Sequence, residues 1–170
     1  MHSKGGDHPA FGRLVLRYQD RIYNLCRYML RDAEEAQDAA QDVFFKAYGS
    51  LKDYNPESSF YTWLYRIAVN TCLDYGKKSR PKPFEDECAI DSLACGQPSP
   101  ERLYQSKETG RLIEAALQKL PKKLRAAIVL KEIEGFSYEE IAGVLGTSVG
   151  TVKSRISRAR EELRRLLKKV

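Results

Sequence analysis

The chain has 170 residues, 42% hydrophobic and 31% charged, with a net charge of +6. That length fits one large domain or two small ones, and the composition excludes a disordered chain. No apolar run approaches the roughly 20 residues a membrane helix needs, and "MHSKGGDHPAFGR" lacks the apolar stretch of a secretory signal, so the protein is expected in the cytoplasm.

Asp7, with Pro9 just after it, reads as a helix start. Phe11, Leu14, Val15, Tyr18, Ile22, Leu25, Cys26 and Met29 follow at helical spacing. A second helix begins near Asp32, which can cap it, and carries Ala36, Ala40, Val43, Phe44 and Ala47. "GSLKDYNPESS" breaks it, and a third helix runs from about Ser58 to Lys78. The next stretch, "SRPKPFEDECAIDSLACGQPSP", holds four of the seven prolines and an acidic run, and reads as a linker.

A helix from about Ser106 to Lys119 then stops before Pro121, which can open the next one through "KKLRAAIVLKEIEG" to Gly135. Ser137 and Glu140 form a capping box before the short helix "YEEIAGVL". "GTS" is a tight turn, and a long helix follows from about Val149 to Lys168. The strand pattern fits nowhere. The expected fold is all-α: two small helical domains, 1–78 and 106–170, joined by a flexible linker over 79–105. The second is a four-helix domain with a helix-turn-helix.

The cysteines Cys26, Cys72, Cys88 and Cys95 form no CxxC pair, and His2 and His8 both lie in the N-terminal tail. That is poor material for zinc, so no metal site and no cofactor are expected. Cys26 and Cys72 sit at helix-core positions and read as free thiols. Cys88 and Cys95 fall in the linker.

Charge is unevenly placed. Val152 to Val170 holds eight basic and two acidic residues, which accounts for the whole excess of the chain. A solvated helix usually balances its signs, whereas a one-sided basic helix is a footprint for phosphate. In "SYEEIAGVLGTSVGTVKSRISRAR", a capped helix meets a second helix across a turn containing Gly146, the form of a helix-turn-helix. Val152, Ile156, Ala159 and Leu163 make the inward stripe of that second helix. The opposite face presents Gly150, Ser154, Ser157 and Arg158, with Lys153 beside them. Small outward residues let such a helix sit deep in the major groove, where Arg158 and Lys153 can reach guanine. Arg155 and Arg160 lie on the flanks, near the backbone phosphates.

"SSFYTWLYRIAVN" packs Phe60, Tyr61, Trp63 and Tyr65 into one short segment. At about 100° per residue, Phe60, Leu64, Ile67, Ala68, Thr71 and Tyr75 fall on one side and read as core. Trp63, Arg66, Asn70 and Lys77 fall along an adjoining edge. That edge offers a flat ring, an amide and cations, the parts used to hold unpaired bases. Helically spaced aromatics are more often plain core, and part of this cluster reads as core.

The segments "DAAQDVFFKAYGSL", "FYTWLYRIAVNT", "LPKKLRAAIVLKEIEGFSYEEIA" and "VGTVKSRISRARE" together resemble the extracytoplasmic-function sigma factors, nearest the envelope-stress type. These are small two-domain relatives of the bacterial RNA polymerase promoter-specificity subunit. The resemblance implies a sigma factor that directs promoter-specific transcription initiation and is not an enzyme. It implies that Asp38, Gln41 and Asp42 bind the β′ coiled coil of core polymerase, with further contacts to the β subunit. The loop Asn55, Pro56, Glu57, Ser58 and Ser59, with Phe60, Trp63, Arg66 and Asn70, is implied to capture the melted −10 element. Gly150, Thr151, Lys153, Ser154, Arg155, Ser157, Arg158 and Arg160 are implied to read the −35 element of promoter DNA.

Many relatives carry Arg at the Lys153 position and a larger residue at Ser157. Lysine cannot make the bidentate guanidinium contact, which alters the expected −35 preference. In the family the linker threads toward the RNA exit channel, where the acidic "EDECAID" could mimic RNA. An anti-sigma factor, often membrane-anchored, typically holds such a protein inactive at the inner membrane, and one is expected here. The rival reading is an operator-binding helix-turn-helix regulator with a helical sensor domain. A nucleic-acid-processing enzyme is disfavoured, because only surface acidic pairs such as Glu34 and Glu35 stand out.

Overall fold

The computed structural model describes residues 8–57, 59–78 and 100–168. Seven α-helices follow in order: α1 His8–Met29, α2 Ala33–Gly49, α3 Phe60–Lys78, α4 Pro100–Lys119, α5 Lys122–Glu132, α6 Tyr138–Leu145 and α7 Val149–Leu167. One 3-10 turn, Leu51–Asp53, joins α2 to the loop before α3. No strand occurs among the described residues, so the all-α expectation holds.

The first block is α1 to α3. Asp32 caps α2, its carboxylate accepting from the amides of Glu34 at 2.8 Å and Glu35 at 3.2 Å. Such a cap stabilises a helix by about 1 kcal/mol relative to alanine. The buried face of α2 is built of Ala36, Ala39, Ala40, Val43 and Ala47. These small side chains let α2 lie close to α1 and α3, against Ile22, Leu25, Cys26, Leu64 and Ala68. Cys26 and Cys72 are both buried free thiols with their sulfurs 3.5 Å apart. The hydrogen bond with the Cys72 thiol, with burial second, pushes Cys26 far above the usual thiol range, so it stays protonated and inert.

The second block is α4 to α7. The Ser137–Glu140 capping box forms as expected, with Glu140 amide to Ser137 Oγ at 3.2 Å and Ser137 amide to Glu140 at 2.8 Å. Gly146 closes α6 at φ +59°, a conformation that costs other residues energy. Ser148 caps α7 by accepting from the Thr151 amide at 3.2 Å. Ile141, Val144, Val152, Ile156 and Ala159 are buried together under α5. One boundary differs from expectation. Helix α4 begins at Pro100, inside the stretch read as linker, because proline suits a first helical position and no glycine or proline follows before Gly110. Residues 79–99, with Cys88, Cys95 and the acidic run, lie outside the described residues.

The two blocks pack against each other, α3 on α6 and α1 on both α4 and α5. One apolar core runs through both blocks, and polar groups of the second block also cap helix ends of the first. Gln118 donates to the carbonyls of Tyr28 at 3.0 Å and Leu30 at 2.9 Å, and Arg125 to that of Met29 at 2.7 Å. Those carbonyls close α1, where orphan acceptors and the negative end of the helix dipole favour a cation. Arg125 is buried, and burial, with Arg31 adding to it, lowers its guanidinium to about 10. The Lys122 ammonium donates to the Gly76 carbonyl near the end of α3. A Cβ on residue 76 would lie 2.8 Å from that nitrogen, so glycine is what lets the lysine approach.

Helix α3 is therefore covered on two sides. Tyr65 and Val69 lie off the stripe read as core, yet they are as buried as Leu64 and Ala68. For Tyr65 the cover is Phe136 of the second block.

Candidate polymerase and nucleic-acid interface

On α2, Asp38 and Gln41 are exposed. Asp42, four residues past Asp38, is half-buried, and Tyr75 of α3 donates to it at 2.7 Å. That hydrogen bond, with burial second, pushes the Tyr75 phenol up to about 12. The exposed row of α2 continues through Phe45, four residues past Gln41 and 75% exposed. Pattern reading passed over Phe45, although a phenylalanine three and four residues from acidic and amide positions is a visible signal.

The loop before α3 is shaped by Asn55, whose side-chain oxygen accepts from the Glu57 amide at 3.0 Å. Asn55, Pro56, Glu57 and Ser59 are all exposed; Ser58 lies outside the described residues. The Ser59 carbonyl accepts from the Trp63 amide at 3.0 Å and starts the helix. Trp63 and Phe60 are half-buried with ring centroids 5.4 Å apart, and Tyr54 closes the group at 5.1 Å from Trp63 and 5.7 Å from Phe60. Tyr54 was not anticipated, since it precedes the helix and escapes any helical wheel. Asn70 is exposed on the same edge. Arg66 is exposed too, but its guanidinium is turned to the second block and donates through both Nε, at 2.9 Å, and Nη2 to the Gly143 carbonyl of α6.

A polar and aromatic knot ties the same surface of α3 to the loop before α6. Tyr61 stacks on Phe136 with centroids 4.6 Å apart and planes 8° from parallel. Tyr65 donates to Glu134 Oε2 at 2.5 Å, Tyr61 donates to it at 3.3 Å, and Arg21 of α1 donates to the Tyr61 hydroxyl at 3.2 Å. Burial above all, and for Tyr65 then Glu134, raises both phenols, so both hydroxyls remain donors.

On α7, Val152, Ile156 and Ala159 are buried while Gly150, Lys153, Ser154, Ser157 and Arg158 are exposed, as the helical pattern requires. Thr151 and Arg155 are half-buried, and Thr151 belongs to the Ser148 cap. Arg160 is not free on its flank: it pairs with Glu132 of α5 at 2.5 Å. A groove of about 540 Å³ follows this side of α7, lined among others by Tyr138, Lys153, Ser157, Arg160 and Arg164. Among the described residues no group of His, Cys, Asp or Glu is placed to hold a metal ion. No described helix is long and apolar enough to cross a membrane.

A capped short helix, a glycine turn and a basic outward helix define a protein of the helix-turn-helix DNA-binding class. Residues 14–81 match the family description "Sigma-70 region 2" and residues 110–163 match "Sigma-70, region 4". The chain is 42% identical to the RNA polymerase sigma-H factor of Pseudomonas aeruginosa over 95% of its own length and 88% of the relative's. It is likewise 42% identical to the ECF RNA polymerase sigma-E factor of Escherichia coli, covering 93% of this chain and 86% of that one. Among solved structures it is similar to CnrH in complex with the cytosolic domain of CnrY, with a TM-score of 0.73, 31% identity and 98% and 93% of the two chains covered. A sigma factor RpoE in complex with the anti-sigma factor NepR, from Bartonella quintana, matches with a TM-score of 0.73 at 27% identity, covering 94% of this chain and 97% of the other.

The chain belongs to the sigma-70 family, among its extracytoplasmic-function members. It is an RNA polymerase sigma factor for promoter-specific transcription initiation, and not an enzyme.

Proposed function

We propose a division of labour along the chain, with boundaries near 1–78 and 106–170. The α2 row of Asp38, Gln41 and Asp42 docks on the β′ coiled coil of core polymerase. The loop from Asn55 through Ser59, with Phe60, Trp63, Arg66 and Asn70, holds unpaired bases of the −10 element. Helix α7 reads the duplex −35 element through Gly150, Thr151, Lys153, Ser154, Arg155, Ser157 and Arg158, with Arg160 on its flank. Capturing separated bases offsets the cost of unpairing them, so strand opening and promoter choice share one source of energy.

The observation that carries this reading is the match between sequence pattern and exposure on α7. Its inward stripe is buried and its small and basic residues stand exposed on one face. The protein works in the cytoplasm, and an anti-sigma factor, membrane-anchored or soluble, holds it inactive. The two solved structures named above are complexes, one with CnrY and one with an anti-sigma factor, which supports that partner.

The test is run-off transcription from a random promoter library with this protein and core polymerase, followed by sequencing of the opened templates. Transcripts that need both components, starting downstream of a shared pair of elements, are the expected result. Binding to duplex DNA without core polymerase, with no transcript in its presence, would mark an operator-binding regulator instead.

A further inference from the structure

Beside the loop and α3 edge lies a second recess, of about 400 Å³, lined by Arg17, Tyr18, Arg21 and Tyr61. Resting on the reading that the first block holds melted DNA, we propose that this recess is an additional single-stranded DNA subsite. Tyr61 and Tyr18 would stack bases there, and Arg17 and Arg21 would bind the flanking phosphates.

Three observations carry it. Arg17 and Arg21 are exposed one turn apart on α1, and neither pairs with a carboxylate among the described residues. Asp20 is exposed on the same helix without an ion pair to either arginine. The recess is also continuous with the −10 surface. Tyr18 lies 5.8 Å from Phe60 and 6.0 Å from Tyr61, so an unbroken row of rings runs from Tyr54 through Trp63, Phe60 and Tyr18 to Tyr61. A row of rings edged by guanidiniums is how sequence-tolerant single-strand binders track a strand.

Finally, groups of the shape and charge of a nucleotide already lie against Tyr61, at the border of the recess. Phe136 stacks flat on Tyr61 as a base would, and Glu134 sets its carboxylate on the Tyr61 and Tyr65 hydroxyls, close enough to act on Arg21. Both come from the second block. When the blocks part, the ring face of Tyr61 is uncovered and a negative charge leaves the neighbourhood of Arg21. The surface is then more attractive to a phosphate chain than it was in the closed form.

The test uses reconstituted holoenzyme and bubble templates whose non-template single strand is lengthened stepwise to either side of the −10 element. Lengthening over the subsite should tighten binding of the wild type by about tenfold, the worth of one stacked base with its phosphate. Arg17→Gln with Arg21→Gln should abolish that gain and lower the salt slope of log K by about 1.4, two phosphates at about 0.7 each. Binding of the −35 duplex should not change. An unaltered gain and slope in the double variant overturns the proposal while leaving −10 capture intact. Wild-type holoenzyme that ignores single strand altogether overturns both. If the double variant melts early, Arg17→Gln alone, at an exposed position, should halve the slope change, and no change would count against the subsite.

Discussion

The Arg66 guanidinium, on the helix edge that faces unpaired DNA in our reading, donates to the Gly143 carbonyl in the helix-turn-helix block. That carbonyl takes donors from both Nε and Nη2 of Arg66, leaving fewer of its five N–H groups for a strand. In that reading the parting of the blocks frees these donors for DNA, and several contacts oppose it: the Tyr61–Phe136 stack, the Tyr65–Glu134 hydrogen bond and the cap on α1.

Glu134→Ala removes the acceptor of two tyrosine hydroxyls and should loosen the closed form. A hydrogen bond to a charged group contributes about 1.5–3 kcal/mol. The open population should rise by roughly ten- to a hundredfold. Small-angle scattering should report a larger radius, and amides of α3 should exchange faster. An unchanged radius together with unchanged exchange would contradict the latch.

Asn70→Ala should impair promoter opening more than polymerase binding, because the amide faces solvent on the α3 edge and not on the α2 row. Loss of one or two base hydrogen bonds should slow opening roughly tenfold. Permanganate reactivity of unpaired thymines, set beside a pull-down of core polymerase, separates the two. Equal loss in both assays would remove Asn70 from strand capture.

Arg158→Ala and Lys153→Ala should weaken −35 discrimination by about 1–3 kcal/mol each, the range for a good base contact. Arg160→Ala should act differently, lowering affinity for all sequences alike and also freeing Glu132, its ion-pair partner. Competition binding with single-base −35 variants distinguishes them. A flat profile change for Arg158→Ala would assign it to the phosphates.

The Tyr75–Asp42 bond predicts a pH dependence. The phenol is raised above its ordinary value near 10, to about 12, so the folded state holds that proton more tightly than the unfolded state. Its contribution to stability is present in full below about pH 10 and is lost as pH rises through about 12. Denaturant unfolding of wild type and Tyr75→Phe should differ at neutral pH and converge over that window. A constant difference across the window would exclude the linkage. The same variant frees Asp42, so any change in core-polymerase affinity reports whether that carboxylate is used outward.

Helix positions, both caps and the outward face of α7 were legible in the sequence, because each depends on neighbours within a few residues. A serine three positions before a glutamate, a glycine after a short apolar helix, and buried residues at steps of three and four are local signals. Asp32, Ser137, Gly146 and the Val152–Ile156–Ala159 stripe follow from such signals alone. The burial of Tyr65, the turning of Arg66 toward Gly143, the pairing of Arg160 with Glu132 and the capture of Asp42 by Tyr75 do not. Each joins residues 28 to 77 positions apart, and no periodicity within one helix encodes which partner will lie across from it. A helical wheel assigns one buried side, so it leaves α3 half bare. Only the docking of the second block, with Gln118 and Arg125 satisfying the open end of α1, decides that its other side is covered as well.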